Sequence, residues 1–190
     1  MVTGWLVWVI GSLISAAANA RRYATIKYDG TSGTAYVKDG ELYVCSRNLS
    51  LRDDAGNPHW IVARQNNLLT ALRDTNLALQ FEVVGPKIQG NPLGLKNFEM
   101  RAFSLYDIAN HRYVGARELL AFCGKNSIPA AASIFFDISL NYTSDSLREL
   151  AQQQYSNGKP AEGIVIRTVE EQQLCGIRAS FKVINLMYKQ

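Results

Sequence analysis

Tyr23-Ala24-Thr25-Ile26-Lys27-Tyr28-Asp29-Gly30-Thr31-Ser32 is the stretch on which the reading of this 190-residue chain turns. Alternation with a period of two places Tyr23, Thr25 and Lys27 on one face of a strand, with Ala24 and Ile26 on the other. Asp29-Gly30 reads as a tight turn, and Gly33–Val37 continues as a second strand. A lysine at the lip of a sheet, beside a turn whose backbone can approach a ligand closely, is placed to act as a nucleophile. It must first lose its proton, which desolvation or a neighbouring cation promotes. The same residues also suit a surface lysine ahead of a hairpin turn. The rest of the chain decides between the two.

A length of 190 residues with 47% hydrophobic content is enough for one core and reads most simply as one domain. The net charge of +4, with a pI near 9.0, suits a polyanionic partner without requiring one. Charged residues make up only 19% and form no long run of one sign, which argues against a disordered basic tail. Cys45, Cys123 and Cys175 are odd in number and widely spaced, so neither a disulfide framework nor a zinc ribbon is expected. His59 and His111 stand at no usual zinc-ligand spacing from them. The expected compartment is the cytoplasm.

Residues 1–22 form an apolar N-terminal segment that closes on Arg21-Arg22. It imitates a secretory signal but lacks the positive n-region, and it is short for a membrane span. A shortened strand from a preceding module, or an element packed on the sheet, is the favoured reading. Further along, Lys38-Asp39-Gly40-Glu41 is a hairpin turn. Asn57-Pro58 opens an amphipathic helix with Ile61, Leu68, Leu69 and Leu72 on one face. Leu77–Val84 is a strand with Leu79, Phe81 and Val83 on one face. Glu82 lies on the other, where a dry environment would be costly for an acid. Gly85-Pro86 and Gly90-Asn91-Pro92 bracket a loop. Phe103–Ile108 reads as a strand, Arg117–Cys123 as a helix stopping at Gly124, and Ile134–Ile138 as a strand. Ser144–Gln154 is expected to be helical, Glu170–Gln172 a hairpin tip, and Ser180–Ile184 a last strand with Phe181 and Val183 in the core. Gly124-Lys125-Asn126 lacks the spacing of a phosphate-binding P-loop.

Six segments in order resemble the motifs of the covalent nucleotidyltransferases, the group of ATP-dependent DNA and RNA ligases and mRNA capping enzymes. They are Lys27-Tyr-Asp-Gly30, Ser46-Arg-Asn48, Phe81–Asn91 ("FEVVGPKIQGN"), Phe103–Ile108 ("FSLYDI"), Glu162–Arg167 ("EGIVIR") and Ser180–Asn185 ("SFKVIN"). The "GPKIQ" extension resembles RNA ligases of the RNA ligase 2-like branch and argues against the DNA ligase and capping-enzyme alternatives.

The resemblance implies an α+β, ATP-grasp-like nucleotidyltransferase core spanning residues 23–190, with antiparallel sheets flanking a nucleotide cleft. It implies ATP and Mg2+ as cofactors and RNA as partner, as a nicked duplex or broken strand. By the same resemblance Lys27 forms a lysyl-AMP bond. Asp29, Gly30, Arg47, Glu82, Tyr106 and Lys182 bind the nucleotide, and Glu162 holds the metal. Tyr106 is aligned with an aromatic that stacks on adenine; a core aromatic is the other reading, with Phe103 in reserve as the stacker. Lys87 and Gln89 are candidates for contact with nucleic acid. Departures are Ile26 where many relatives have glutamate, Phe81 where glycine is common, and Ile184 in place of a second lysine. With flanking modules unaccounted for, two alternatives follow. Either a partner supplies them, or the chain is a core that takes up AMP without sealing strands.

Overall fold

The computed structural model describes residues 20–139, 143–174 and 177–188. The apolar segment of residues 1–19 lies outside them, and Arg21 and Arg22, expected to close it, are the first residues of a strand. The strands are β1 (Arg21–Lys27), β2 (Thr31–Lys38), β3 (Glu41–Cys45), β4 (Leu77–Val84), β5 (Glu99–Asp107), β6 (Arg112–Tyr113), β7 (Ser133–Ser139), β8 (Gly163–Thr168), β9 (Gln173–Leu174), β10 (Ile177–Arg178) and β11 (Ser180–Ile184). The helices are α1 (Pro58–Gln65), α2 (Leu68–Leu72), α3 (Ala116–Lys125) and α4 (Ser144–Leu150).

Two antiparallel sheets carry the molecule. One has the order β3-β2-β4-β5-β6 and the other β11-β8-β1-β7; β9 and β10 form a separate ribbon. The Asp29-Gly30 turn therefore does not close a hairpin. β1 pairs with β7 and β8, whereas β2 pairs with β3 and β4, so the turn carries the chain from one sheet into the other. Gly30 permits the crossing. A Cβ there would lie 2.3 Å from the Val83 carbonyl oxygen and 2.8 Å from Cγ of Glu82, which no side chain can occupy.

In β4 the expected alternation is realised: Leu79, Phe81 and Val83 are fully buried against α1, α2 and α3. Gln80 and Glu82 face the other way. The expected single helix is broken at Asn66-Asn67, where Asn67 adopts φ 50°. His59, Trp60, Val62 and Ala63 are buried in the first piece and Leu68, Ala71 and Leu72 in the second. The turn re-phases the apolar face, which is why one continuous period does not fit. Asn57 does cap α1, accepting from the His59 N–H at 2.9 Å. α3 runs through Gly124 to Lys125, and α4 stops at Leu150, shorter than expected.

The four-stranded sheet has a smaller core. Ala24, Ile164 and Ile166 pack with Ala151 and with Leu147 and Leu150 of α4. β8 is buried along its whole length, consistent with its apolar run in mid-sheet. β11 is an edge strand, and there Phe181 is 41% exposed rather than in the core. Glu170–Gln172 is not a hairpin tip; it leads into β9, and Glu171 instead binds Arg178 of β10 through two 2.7 Å contacts.

Candidate active site

The cleft between the sheets holds a cavity of about 190 Å3. The four-stranded sheet contributes Thr25, Ile26, Lys27, Val165, Arg167 and Lys182; the five-stranded sheet contributes Ser32, Glu82, Arg101 and Phe103. Arg47, just beyond β3, completes the charged lining. Five cations and one carboxylate thus face a single small space.

Register explains how distant motifs meet. Lys27 is opposite Gly163 across β1 and β8, which sets Glu162 beside it. The Lys27 ammonium is ion-paired to Oε2 of Glu162, an atom that has no other hydrogen-bond partner and is buried. Gly163 has φ +144°, and a Cβ there would fall 2.1 Å from the Val183 carbonyl oxygen. The glycine lets β11 lie close, with Lys182 opposite Val165 and facing the cleft. Across the cavity, Glu82 stands between Ser32 of β2 and Arg101 of β5. Burial pushes its carboxyl up to about 7; Lys27 opposes that rise and Glu162 adds to it.

Asp29 and Gly30 are not among the residues lining the cavity. The Asp29 carboxylate accepts a 2.5 Å hydrogen bond from the Tyr188 hydroxyl, and burial, with that carboxylate adding to it, drives the phenol's pKa up. Gln89 donates to the Gly30 carbonyl at 3.4 Å, while Lys87 is exposed. Tyr106 lies outside the cavity, packed edge-on against Tyr113 at 5.1 Å. Pairing steps from Phe81 with Ala102 to Gln80 with Ser104, so Phe103 is an extra residue in the ladder. Phe103 follows Arg101 on the same face by plain alternation and lines the cavity with it, whereas Tyr106, paired with Ala78 further along β4, lies beyond the lining.

Arg101, Arg167 and Tyr155 were missed by sequence reasoning. Arg167 is 7% exposed, its Nε and Nη1 have no hydrogen-bond partner, and its guanidinium lies 5.7 Å from the Phe103 ring centroid. Burial lowers its pKa from the ordinary arginine value. Its signal was available: it is the one charged residue inside the apolar run of β8. Arg101 lies over the Tyr28 ring at 5.6 Å and binds Glu99 at 2.6 Å. A larger groove of about 820 Å3, lined by Leu42, Trp60 and Leu68 among others, lies away from these groups.

No group of three His, Cys, Asp or Glu side chains among the described residues is arranged to hold a metal by itself. The donors present fit a hard, largely hydrated cation instead. Magnesium takes one or two carboxylates and completes its shell with water and substrate phosphate; Glu82 lines the cavity, and Glu162, just ahead of β8, is paired with Lys27 at its wall. No helix among the described residues is long and apolar enough to cross a membrane.

A cleft of this kind, built between two antiparallel sheets with the motif lysine in its wall, defines the nucleotidyltransferase class of the ligases. The RNA ligase family model matches residues 21–184, and the chain belongs to the RNA ligase family. Among solved structures, Naegleria gruberi RNA ligase with PPi is 30% identical with a TM-score of 0.82, over 93% of this chain and 54% of that one. A mutant of the same ligase with ATP and Mn is 29% identical with a TM-score of 0.83, over 95% and 54%. Another mutant with AMP and Mn gives 30% and 0.80 over the same shares. The chain thus spans about half the length of these relatives. No curated protein sequence matches it.

Proposed function

We propose that this chain catalyses ATP-dependent RNA ligation through a lysyl-AMP intermediate on Lys27, as a member of the RNA ligase 2-like branch. The observation that carries the reading is the convergence of Lys27, Arg47, Arg101, Arg167 and Lys182 on one cavity beside Glu162. Such a density of cations is poised for a polyphosphate. The orphaned nitrogens of Arg167 call for acceptor atoms from a ligand, because a buried unpaired donor is costly. Phe103 offers the ring on which a base can stack. The Naegleria relatives hold PPi, ATP with Mn, or AMP with Mn, and the same ligands suit this cavity.

In the first step the Lys27 amine attacks the α-phosphorus. The N–P bond forms, the bond to the bridging oxygen breaks, and pyrophosphate leaves. The attacking amine forms when the Lys27 ammonium gives one proton to Glu162, against which it rests, and the surplus proton on the nitrogen of the new N–P bond leaves to solvent. Arg47 and Lys182 neutralise the charge that develops on the phosphate oxygens. Glu162 and Glu82 would hold a hydrated Mg2+, which when bound screens the triphosphate. AMP then passes to a 5′-phosphate, and a 3′-hydroxyl displaces it to seal the strand.

Incubation with α-labelled ATP and magnesium tests this directly: label should stay on the denatured protein. Without it the reading fails. Labelling without sealing would favour the second reading, in which a partner supplies the grip on RNA. With a net charge of +4, joining by the isolated chain should be slow and fall steeply between low and moderate salt. ATP use fits the cytoplasm.

A further inference from the structure

Tyr155 belongs to none of the six motifs, and its side chain ends in the middle of three of their residues. Its hydroxyl accepts from the Asp29 N–H at 3.1 Å and from the Glu162 N–H at 3.3 Å, and it donates to the Lys27 carbonyl at 3.3 Å. A phenol has one donor and two acceptor sites, so these bonds use all of them. The tyrosine is 4% exposed, and its ring stacks on Tyr28 at 5.7 Å with 18° between planes. Its own backbone is fixed as well, through Tyr155 N–H to Lys159 at 2.9 Å and Gly158 N–H to Tyr155 at 2.9 Å. Glu162 is held from its other side, where its carbonyl accepts from the Asn185 N–H at 3.0 Å.

Resting on the reading of Lys27 as nucleophile, we propose that Tyr155 is a positioning residue that sets the Lys27 amine and the Glu162 carboxylate in mutual register. β1 ends at Lys27 and β8 begins at Gly163. The ladder thus stops where the chemistry starts, and ordinary sheet pairing cannot fix the Asp29 and Glu162 peptides. One hydroxyl ties both to the Lys27 peptide. It touches neither substrate nor reacting atoms, so its effect belongs to the attack and not to ATP binding.

The test is single-turnover labelling with α-labelled ATP and magnesium. Tyr155→Phe keeps the ring and its stacking on Tyr28. At saturating ATP its rate should fall about 10–100-fold, with the half-saturating ATP concentration within about 3-fold of wild type. A full rate, or a loss confined to the half-saturating concentration, would overturn the proposal. If that variant does not fold, 3,5-difluorotyrosine at position 155 decides. It nearly preserves the ring's volume but gives up its proton at lower pH, and a phenolate cannot donate to the Lys27 carbonyl. Labelling should then decline with rising pH where the wild type does not; a profile identical to wild type also overturns the proposal. A wild-type chain that takes no label refutes the ligase reading itself, which is a separate result.

Discussion

The two sheets that form the cleft are built on different terms. Among the described residues, the five-stranded sheet shares a cluster of eighteen buried residues with three helices, while the four-stranded sheet contributes to smaller clusters of four and of three. Yet the four-stranded sheet carries Lys27, Arg167 and Lys182, with Glu162 at the start of β8. Its edge strand leaves Phe181 and Ile184 half exposed. The first sheet is a platform whose apolar face supplies stability, and the second is a thin wall of charged groups held by register. The larger apolar core therefore lies under the first sheet, while the cavity lining comes from both, with Glu82, Arg101 and Phe103 on the first and Lys27 on the second. Substitutions in core and lining should separate accordingly.

The largest effect expected is at Lys27. Lys27→Ala should abolish covalent labelling, and because it leaves the buried Oε2 of Glu162 without its partner, some fall in melting temperature should accompany that loss. Arginine should not rescue it, because a guanidinium stays protonated. Undiminished label on the alanine variant would remove Lys27 from the reaction.

Next is the platform. Phe81 is fully buried, and Phe81→Ala should cost about 3–5 kcal/mol in denaturant unfolding. A cost below about 1 kcal/mol would show that this sheet is not the stabilising half.

The paired aromatics sharpen the contrast within β5. Phe103→Ala should weaken ATP use by about 10–100-fold, equivalent to roughly 1.4–2.7 kcal/mol. Tyr106→Ala should change it by less than about 3-fold and lower stability instead. The reverse pattern, read from labelling rates against ATP concentration, would restore Tyr106 as the stacking residue.

The smallest effect concerns Glu82. Its folded carboxyl titrates at about 7, above the ordinary glutamate value. The folded state therefore binds the extra proton, and this group's contribution to stability falls as pH rises from the ordinary value through 7. Glu82→Gln should raise the melting temperature at pH 8 by up to a few degrees and by less at pH 5. Equal shifts at both would mean that Glu82 is not a strained acid.

Much of the molecule was legible in one sequence. The alternation of β4, the Asn57-Pro58 helix start and the Asp39-Gly40 hairpin turn all rest on local geometry and appear as expected. Lys27, Arg47, Glu82 and Lys182 do line one cavity, with Glu162 at Lys27. Other features were not readable. That Asp29-Gly30 crosses between sheets depends on which strands β1 and β2 choose as partners. The break at Asn66-Asn67 lets Trp60, Val62 and Ala63 on one side and Leu68, Ala71 and Leu72 on the other enter one core.

What the sequence by itself determined is the set of chemical groups and their local periods, because propensity and alternation act over a few residues. Only the tertiary structure decided which groups meet. Phe103 and not Tyr106 lines the cavity, Arg167 is sealed beside it, and one hydroxyl from Tyr155 reaches peptides more than a hundred residues away. Those outcomes follow from strand register and packing between sheets, which no stretch of chain encodes alone.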